Sequence, residues 1–159
     1  MKKLSLLFIM FFSLAYLANA QVNNHALGVR LGGNGDINGA EISYQHGLSG
    51  SNRMEVDLGF GSSSNHTRLF VVSIYHWNWS ISNGFNWYVG PGAGLGFYSY
   101  DSEDFYFNVA LGGQIGLEFD FNSMGFPLLI SLDARPMWDF IGNNSGLGWG
   151  AAFGVRYTW

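Results

Sequence analysis

Apolar and polar side chains alternate along most of this sequence, and this alternation restricts the fold more than any other feature. In residues 105–121, the longest example, one parity is mostly Phe, Leu, Ile and Val, whereas the other is Tyr, Asn, Ala, Gly, Gln, Glu and Asp. A period of two places successive side chains on opposite faces of a β-strand. We predict strands over residues 25–33, 39–48, 52–61, 67–79, 85–100, 105–121, 128–139 and 149–159.

The segments between these strands are short and rich in residues that favour turns. Gly tolerates positive φ, and Asn, Asp and Ser side chains hydrogen-bond to the nearby backbone, so such segments reverse the chain. Connectors of this composition lie at residues 34–38, 49–51, 62–65, 82–84, 101–104, 122–125 and 142–146. Strand and turn recur without a break in composition, which predicts one all-β domain of antiparallel hairpins.

The fourth segment departs from the alternation. Its otherwise polar face carries Phe70, Val72 and Ile74 beside Arg68 and His76. Either a β-bulge or an apolar patch on the polar face would explain this pattern, and the sequence leaves both open.

The first 20 residues form a segment of a different kind. Lys2 and Lys3 precede a mostly apolar stretch over residues 4–17, and residues 18–20, Ala-Asn-Ala, match a signal peptidase site. We therefore expect residues 1–20 to be a signal peptide, with one domain over residues 21–159. No later apolar run is long enough for a membrane helix, so entry into a membrane would require a closed β-barrel.

The charges indicate which face of such a barrel lies outside. Both lysines fall in the expected signal peptide, which leaves five Arg against eleven Asp and Glu, a net charge of −6, and argues against a nucleic-acid partner. All five arginines fall on the polar parity, whose other residues are mostly Gly, Ser and Asn. A soluble barrel needs a better solvated exterior, whereas a charge facing lipid costs roughly 2–4 kcal/mol. The pattern predicts an eight-stranded antiparallel up-and-down transmembrane β-barrel with its apolar face outside.

Aromatic residues gather near both ends of the predicted strands, as in the interface girdles of membrane barrels. One level contains Trp77, Trp79, Phe85, Trp87, Phe119, Phe121, Phe126, Tyr157 and Trp159. The other contains Phe60, Phe97, Phe105, Trp138, Phe140 and Trp149. The alternative, the aromatic core of a soluble β-sandwich, requires a more polar outer face than this sequence provides.

Five short segments carry a family resemblance. They are LGG at 31–33, EISYQHGL at 41–48, NWYVGPGAG at 86–94, GQIGLE at 113–118 and SLDARP at 131–136. With these segments the chain resembles the small eight-stranded outer-membrane β-barrels of the OmpA/OmpX type, in the form common in Bacteroidota. The resemblance implies an outer-membrane protein of a Gram-negative bacterium, and short turns and both mature termini of such a barrel face the periplasm.

The resemblance also implies partners. They are outer-membrane lipid and the barrel-assembly machinery, and the chain is expected to be a monomer. Members of the group end in an aromatic residue preceded by apolar residues at alternating positions, which the assembly machinery reads. The matching positions here are Phe153, Val155, Tyr157 and Trp159.

Charged residues are predicted to pair inside the barrel, because eight strands enclose a space that their own side chains fill. Counting back from the turns places Arg30 near Glu41, Glu41 near Asp57 and Asp57 near Arg68, a belt on four consecutive strands. A second group on strands six to eight contains Gln114, Glu118, Asp133, Arg135 and Arg156. We expect both groups to be structural, since an unpaired buried charge is costly.

Other candidate sites in the sequence are weak. His25, His46, His66 and His76 show no metal-ligand spacing and are interpreted as interface or loop residues. Ser73 and His76 fall on opposite faces by parity and do not form a nucleophile and base pair. The inward glycines are expected to leave room for side chains from across the barrel; they are Gly90, Gly92, Gly94 and Gly96, and the candidate occupants are Tyr88, Tyr98, Tyr106 and arginines.

Three functions remain open at this point. The favoured one is a non-catalytic barrel with a structural or surface-interaction role and no catalytic, cofactor-binding or metal site. The alternatives are a lipid-modifying enzyme on the same scaffold and a narrow channel. An enzyme needs a nucleophile and a base on one face, and a channel needs an unblocked lumen.

Overall fold

The strands predicted from the alternation close into a single barrel. The computed structural model describes residues 22–34, 37–63, 66–100, 105–140 and 146–159. Eight antiparallel strands follow one another around the barrel in chain order, and the last pairs with the first. They are β1 (His25–Asn34), β2 (Ile37–Ser49), β3 (Asn52–Ser63), β4 (His66–Ser82), β5 (Phe85–Tyr100), β6 (Phe105–Asp120), β7 (Leu128–Asp139) and β8 (Gly146–Thr158). The predicted up-and-down β-barrel is confirmed.

The strand boundaries follow the prediction closely, and the differences have a common cause. β5 and β7 begin and end as predicted, whereas β4 continues to Ser82 and β8 begins at Gly146. Pairing with a single neighbour, β5 for the end of β4 and β7 for the start of β8, extends these strands beyond the point where local alternation stops. The predicted 122–125 turn contains a 3₁₀ helix, η1 (Phe121–Met124), capped by Gly125. No helix in the described part of the chain is long and apolar enough to span a bilayer.

The two ends of the barrel differ. The turn end carries the short connections after β2, β4 and β6, together with His25 and Trp159 where the barrel closes. Each of these connections contains a glycine with positive φ, Gly50 at 59°, Gly84 at 79° and Gly125 at 83°, a backbone conformation that other residues rarely adopt. The loop end carries the connections after β1, β3, β5 and β7. Residues 35–36, 64–65, 101–104 and 141–145 there lie outside the described residues.

Side-chain exposure follows the predicted parity. Among the described side chains, no Asp, Glu or Arg of the eight strands is exposed. Large apolar residues of the opposite parity cover the outside, and Leu132 in the middle of β7 is 61% exposed. Aromatic contacts occur near both ends, with Trp79 and Trp87 stacked at 4.4 Å near the turn end. The side chain of Phe105, predicted for the other girdle, lies outside the described residues.

The irregular fourth strand forms an apolar patch inside the barrel. Val72 and Ile74 are buried with Ala110 and Met137, and Phe70 packs against this cluster. The register of β4 against β5 shifts only beyond the predicted segment, between Ser80 and Ser82. Of the two explanations left open by the sequence, the apolar patch is correct for residues 67–79.

The inward glycines of β5 make room for this patch. A Cβ on Gly94 would lie 3.3 Å from Val72 Cγ2 and 3.5 Å from Met137 Cε, and one on Gly92 would overlap Ile74 Cδ1. At Gly92 and Gly94 the prediction of Tyr88 or arginines as occupants is therefore wrong, because neighbouring apolar side chains occupy the space. Tyr88 lies against Gly116 instead, where a Cβ would be 2.5 Å from its hydroxyl. The side chains of Tyr98 and Tyr106 lie outside the described residues.

Candidate functional site in the barrel lumen

Polar side chains from all eight strands form one connected set of contacts inside the barrel, which we call the lumen network. Inward parity brings these residues together, and all of them except Glu41 are buried. Four arginines and five carboxylates contribute the charges. The members are Arg30, Glu41, Gln45, Arg53, Glu55, Asp57, His76, Tyr88, Gln114, Glu118, Asp133, Arg135 and Arg156.

The middle of the network links opposite walls of the barrel. Arg30 pairs with Glu41 of the adjacent strand at 2.7 Å and, through Nε, donates to Asp133 of β7 at 3.1 Å. Arg135 Nη1 donates to the other Glu41 oxygen at 3.0 Å, and Arg135 also pairs with Asp57. One carboxylate, Glu41, thus joins two arginines from β1 and β7.

Glu55 lies at the centre of the contacts nearer the turn end. It pairs with Arg156 at 3.1 Å and with Arg135 at 3.3 Å, and accepts a hydrogen bond from Gln45. Arg156 also donates to two serine hydroxyls, on Ser43 at 2.9 Å and on Ser131 at 2.7 Å. These contacts give a fully buried carboxylate two guanidinium partners, as a buried charge requires.

Arg53 forms the part of the network nearest the turn end. It pairs with Glu118 at 2.7 Å, and its guanidinium carbon lies 4.7 Å from the centre of the Tyr88 ring. Its Nε donates to His76 Nδ1 at 3.2 Å, so His76 Nε2 carries the proton directed at Gln114 Oε1, 3.3 Å away. Gln114 in turn donates to Glu55 at 3.3 Å and connects this part to the rest.

The structure rearranges the pairs that turn counting suggested. It places Arg30 beside Glu41, but the two groups expected from the sequence, on strands one to four and on strands six to eight, form a single network. Asp57 lies opposite Val72 in the β3–β4 register and pairs with Arg135 across the lumen. Arg68 lies opposite Gly61, and its side chain is outside the described residues. Counting residues back from a turn predicts pairs only between adjacent strands. Long inward side chains, in contrast, can meet across the narrow lumen.

Arg53 and Glu55 are members that the predicted groups omitted. Both follow the inward parity, which was the available signal, and their side chains are 2% and 0% exposed. Turn counting does not identify them, because their partners, Glu118, Arg156 and Arg135, lie on strands that do not pair with β3.

A small cavity lies on the loop-end side of the network. Its volume is about 60 Å³, which is space for a few water molecules rather than for a solute. Arg30, Glu41 and Arg135 line one part of it, and Phe70 and Met137 belong to the apolar part. The lumen therefore contains a polar layer and an apolar patch with limited free space between them.

Hydrogen-bonded side chains gather at the turn end. Asn23 donates to Asp120 at 2.8 Å, and Asn122 donates to Asp120 and to Thr158, both at 2.7 Å. These contacts connect the residues before β1 with η1 and with Thr158, the last residue of β8. They add a second polar layer between the lumen network and the turn end.

The described residues do not assemble a catalytic pair from Ser73 and His76. Ser73 is half-buried on the outward parity of β4, whereas His76 is buried in the lumen between Arg53 and Gln114. Among the residues that the structure describes, no group of three or more His, Cys, Asp or Glu side chains is arranged to hold a metal ion.

The residues of the expected assembly signal lie on the outer face of β8. Phe153, Tyr157 and Trp159 are exposed, and Val155 is half-buried. Trp159 stacks on Tyr157 with ring centres 6.0 Å apart and on His25 at 5.4 Å. The alternation that defines the signal is therefore an outward apolar stripe that ends at the turn end of the barrel.

Comparison with known proteins identifies the fold. No protein-family model and no curated protein matches the sequence. The crystal structure of Neisserial surface protein A (NspA) is similar with a TM-score of 0.67 at 14% identity, covering 85% of this chain and 95% of that one. The N-terminal β-barrel domain of Pseudomonas aeruginosa OprF gives 0.67 at 14% identity, covering 87% and 100%.

A third solved structure is more distant. The Yersinia pestis outer membrane protein Ail in a phospholipid bilayer nanodisc has a TM-score of 0.50 at 12% identity, covering 86% of this chain and 100% of that one. At these identities the similarity concerns the backbone architecture. The chain has the closed eight-stranded fold of the outer-membrane β-barrels.

Proposed function

We propose that this chain is a non-catalytic integral outer-membrane protein of a Gram-negative bacterium, with a structural or surface-interaction role and no cofactor. The observation that carries the proposal is the lumen network, which links six strands through ion pairs and the other two, β4 and β5, through hydrogen bonds of His76 and Tyr88. Such a lumen is filled by the side chains of the barrel itself. The exposed apolar exterior suits contact with lipid, so the barrel acts as a rigid support for the loops at the loop end.

The filled lumen supports a barrel that does not conduct. A solute crossing the barrel would have to separate Arg30 from Glu41 and Asp133, and Arg135 from Asp57. Removing one partner of a buried pair costs about 3–5 kcal/mol, so the closed arrangement is strongly favoured. The structural role is therefore better supported than the narrow channel.

A lipid-modifying enzyme is the less supported alternative. It would need a nucleophile and a base that converge near the edge of the bilayer, and the Ser73 and His76 side chains lie on opposite faces of β4. The proposal therefore assigns no catalytic residue within the described strands.

Three measurements on one preparation test the proposal. Full-length protein expressed in a Gram-negative host should appear in the outer-membrane fraction and change its gel mobility on boiling, because a closed barrel resists detergent until it is heated. Vesicles containing the purified barrel should not swell in small sugars, whereas vesicles containing a general porin should. Host lipids analysed by mass spectrometry should be unchanged by expression.

Each result against expectation removes one part of the proposal. Recovery as a soluble periplasmic protein without a mobility shift would exclude the membrane barrel. Steady swelling would favour the channel, and a new lipid species dependent on the protein would favour the enzyme.

We also propose how the chain reaches the membrane. Residues 1–20 act as a signal peptide, and the 21–159 barrel inserts as a monomer with both termini in the periplasm. Phe153, Val155, Tyr157 and Trp159 are read by the barrel-assembly machinery. Support comes from the outward stripe on β8 and from the short connections at the same end as the termini, which in such barrels face the periplasm.

A further inference from the structure

Two histidines meet on the outer face of the barrel at the turn end. His25 begins β1 and His46 lies in β2, and the strand register sets them directly opposite each other. His25 is half-buried, whereas His46 is exposed. They belong to the outward parity, so the lumen network does not include them.

The distance between their nitrogens has a specific chemical meaning. The two Nδ1 atoms are 3.4 Å apart, which is long for a hydrogen bond between nitrogen atoms. Two nitrogens bound to the same tetrahedral Zn²⁺ at about 2.05 Å each lie about 3.3 Å from one another. The observed separation therefore matches the spacing that one metal ion would impose on both imidazoles.

Neighbouring aromatic residues hold His25 in position. Its ring stacks on Trp159 with centres 5.4 Å apart and an interplanar angle of 20°. The His25 and Trp159 backbones exchange two hydrogen bonds, at 3.2 and 3.1 Å, where the barrel closes. The Tyr44 hydroxyl lies 2.8 Å from His25 Nδ1, so a metal ion would displace this hydroxyl from the single lone pair of that nitrogen. One ligand is thus fixed and the other, His46, is free to adjust.

The chemistry of the donors selects the ion. Imidazole suits zinc, copper and nickel, whereas Mg²⁺ and Ca²⁺ prefer oxygen ligands. Among the described residues no third His, Cys, Asp or Glu joins the pair, so water would complete the coordination. We propose that His25 and His46 form a two-imidazole binding site for a divalent transition-metal ion, with Zn²⁺ as its representative, on the outer surface at the turn end.

Calorimetric titration of the folded barrel in detergent with Zn²⁺ tests the proposal. The protein must carry no histidine tag, since a tag would bind the same ion. We expect saturable binding of one Zn²⁺ per chain, no binding of Mg²⁺, and a Co²⁺ complex with the intense visible absorption of tetrahedral coordination. His46→Ala and His25→Ala should each weaken the affinity by about tenfold or more.

Two control variants keep the test specific. His66→Ala removes a histidine at the opposite end of the barrel, where His66 begins β4, and should leave Zn²⁺ binding unchanged. Tyr44→Phe removes the hydroxyl that competes for His25 Nδ1 and keeps both imidazoles, so binding should persist or become tighter. The mobility shift on boiling establishes that each variant is folded.

The proposal is overturned if the folded wild-type barrel shows no saturable Zn²⁺ binding. It is equally overturned if His46→Ala and His25→Ala bind Zn²⁺ as tightly as the wild type, or if Mg²⁺ gives the same titration curve. None of these outcomes bears on the membrane location or the closed lumen, which the fractionation and swelling measurements test separately.

Discussion

Arg30 and Asp133 form an ion pair between β1 and β7, two strands that share no backbone hydrogen bonds because β8 lies between them. The same Arg30 pairs with Glu41 on the adjacent strand β2. Contacts of this kind cross the barrel rather than follow the sheet. Such contacts connect strands that do not pair, so each residue of the lumen network is expected to contribute to the stability of the whole barrel. This contribution can be tested residue by residue.

Removal of Arg135 is expected to destabilise the barrel strongly. Arg135→Met leaves Asp57 without its guanidinium partner and takes one partner each from Glu41 and Glu55. The loss of unfolding free energy should be about 3–5 kcal/mol, measured by urea titration of the barrel in lipid vesicles. The double variant Arg135→Met with Asp57→Leu should recover part of this loss, because it removes both partners. If the two losses simply add, Arg135 and Asp57 are not a pair.

The two central glutamates should differ in their effect. Glu55→Ala removes a fully buried carboxylate from Arg156 and Arg135 and should cost about 3–5 kcal/mol. Glu41→Ala should cost only about 1–3 kcal/mol, because Arg30 keeps Asp133 and Arg135 keeps Asp57. The temperature at which the mobility shift appears in detergent gives the comparison. An unchanged temperature for Glu41→Ala would remove Glu41 from the network.

Two glycines on the same face of β5 should respond differently to an added methyl group. A Cβ on Gly90 would overlap the Tyr75 carbonyl oxygen, which belongs to the backbone, so Gly90→Ala should cost about 1–3 kcal/mol or prevent assembly. A Cβ on Gly94 would meet the Val72 side chain at 3.3 Å, which can adjust, so Gly94→Ala should change stability by less than about 1 kcal/mol. Folded yield and urea midpoints of both variants provide the test, and equal effects would contradict the backbone clash.

The loss of unfolding free energy caused by a charge on the outer face should depend on the depth of the residue in the bilayer. Leu132 is 61% exposed in the middle of β7, so Leu132→Arg should cost roughly 2–4 kcal/mol in vesicles. Met124, also 61% exposed, lies in η1 at the turn end, and Met124→Arg should cost roughly 0–1 kcal/mol. Equal costs at the two positions would mean that the apolar belt does not face hydrocarbon.

Assembly in cells should depend on the end of β8 that carries the proposed signal. Trp159→Ala should lower the folded fraction in the outer membrane several-fold, whereas Trp149→Ala, also an exposed tryptophan on the outer face of β8, should have a smaller effect. Pulse-labelling with quantification of the heat-shifted band measures this fraction. A matching loss for both variants would point to a general role of interface aromatics.

The residue sequence was sufficient to predict the strands, their facing and their turns. Alternation with period two identified all eight strands, and the parity placed Arg53, Glu55 and Arg156 inside. Gly50, Gly84 and Gly125 mark turns because a positive φ is a local requirement of the backbone. These properties depend on residues that are close in sequence, so they can be read without the fold.

The juxtaposition of His25 and His46 could be predicted from the sequence, although the spacing of the histidines along the chain does not indicate it. The count that sets Arg30 opposite Glu41 also sets His25 opposite His46, since both pairs belong to the same β1–β2 register. The spacing of the histidines along the chain shows no metal-ligand pattern, whereas the hairpin register brings these two together.

The partners across the lumen were decided only by the tertiary structure. Asp57 meets Arg135, Arg53 meets Glu118 and Arg30 meets Asp133 because closure of the barrel brings strands that are far apart in sequence together around one narrow space. Turn counting fixes neighbours within a hairpin, and its reach ends at the adjacent strand. The partner of each long arginine side chain depends on its distance across the lumen from the nearest carboxylates. That distance is set by the closed shape of the barrel.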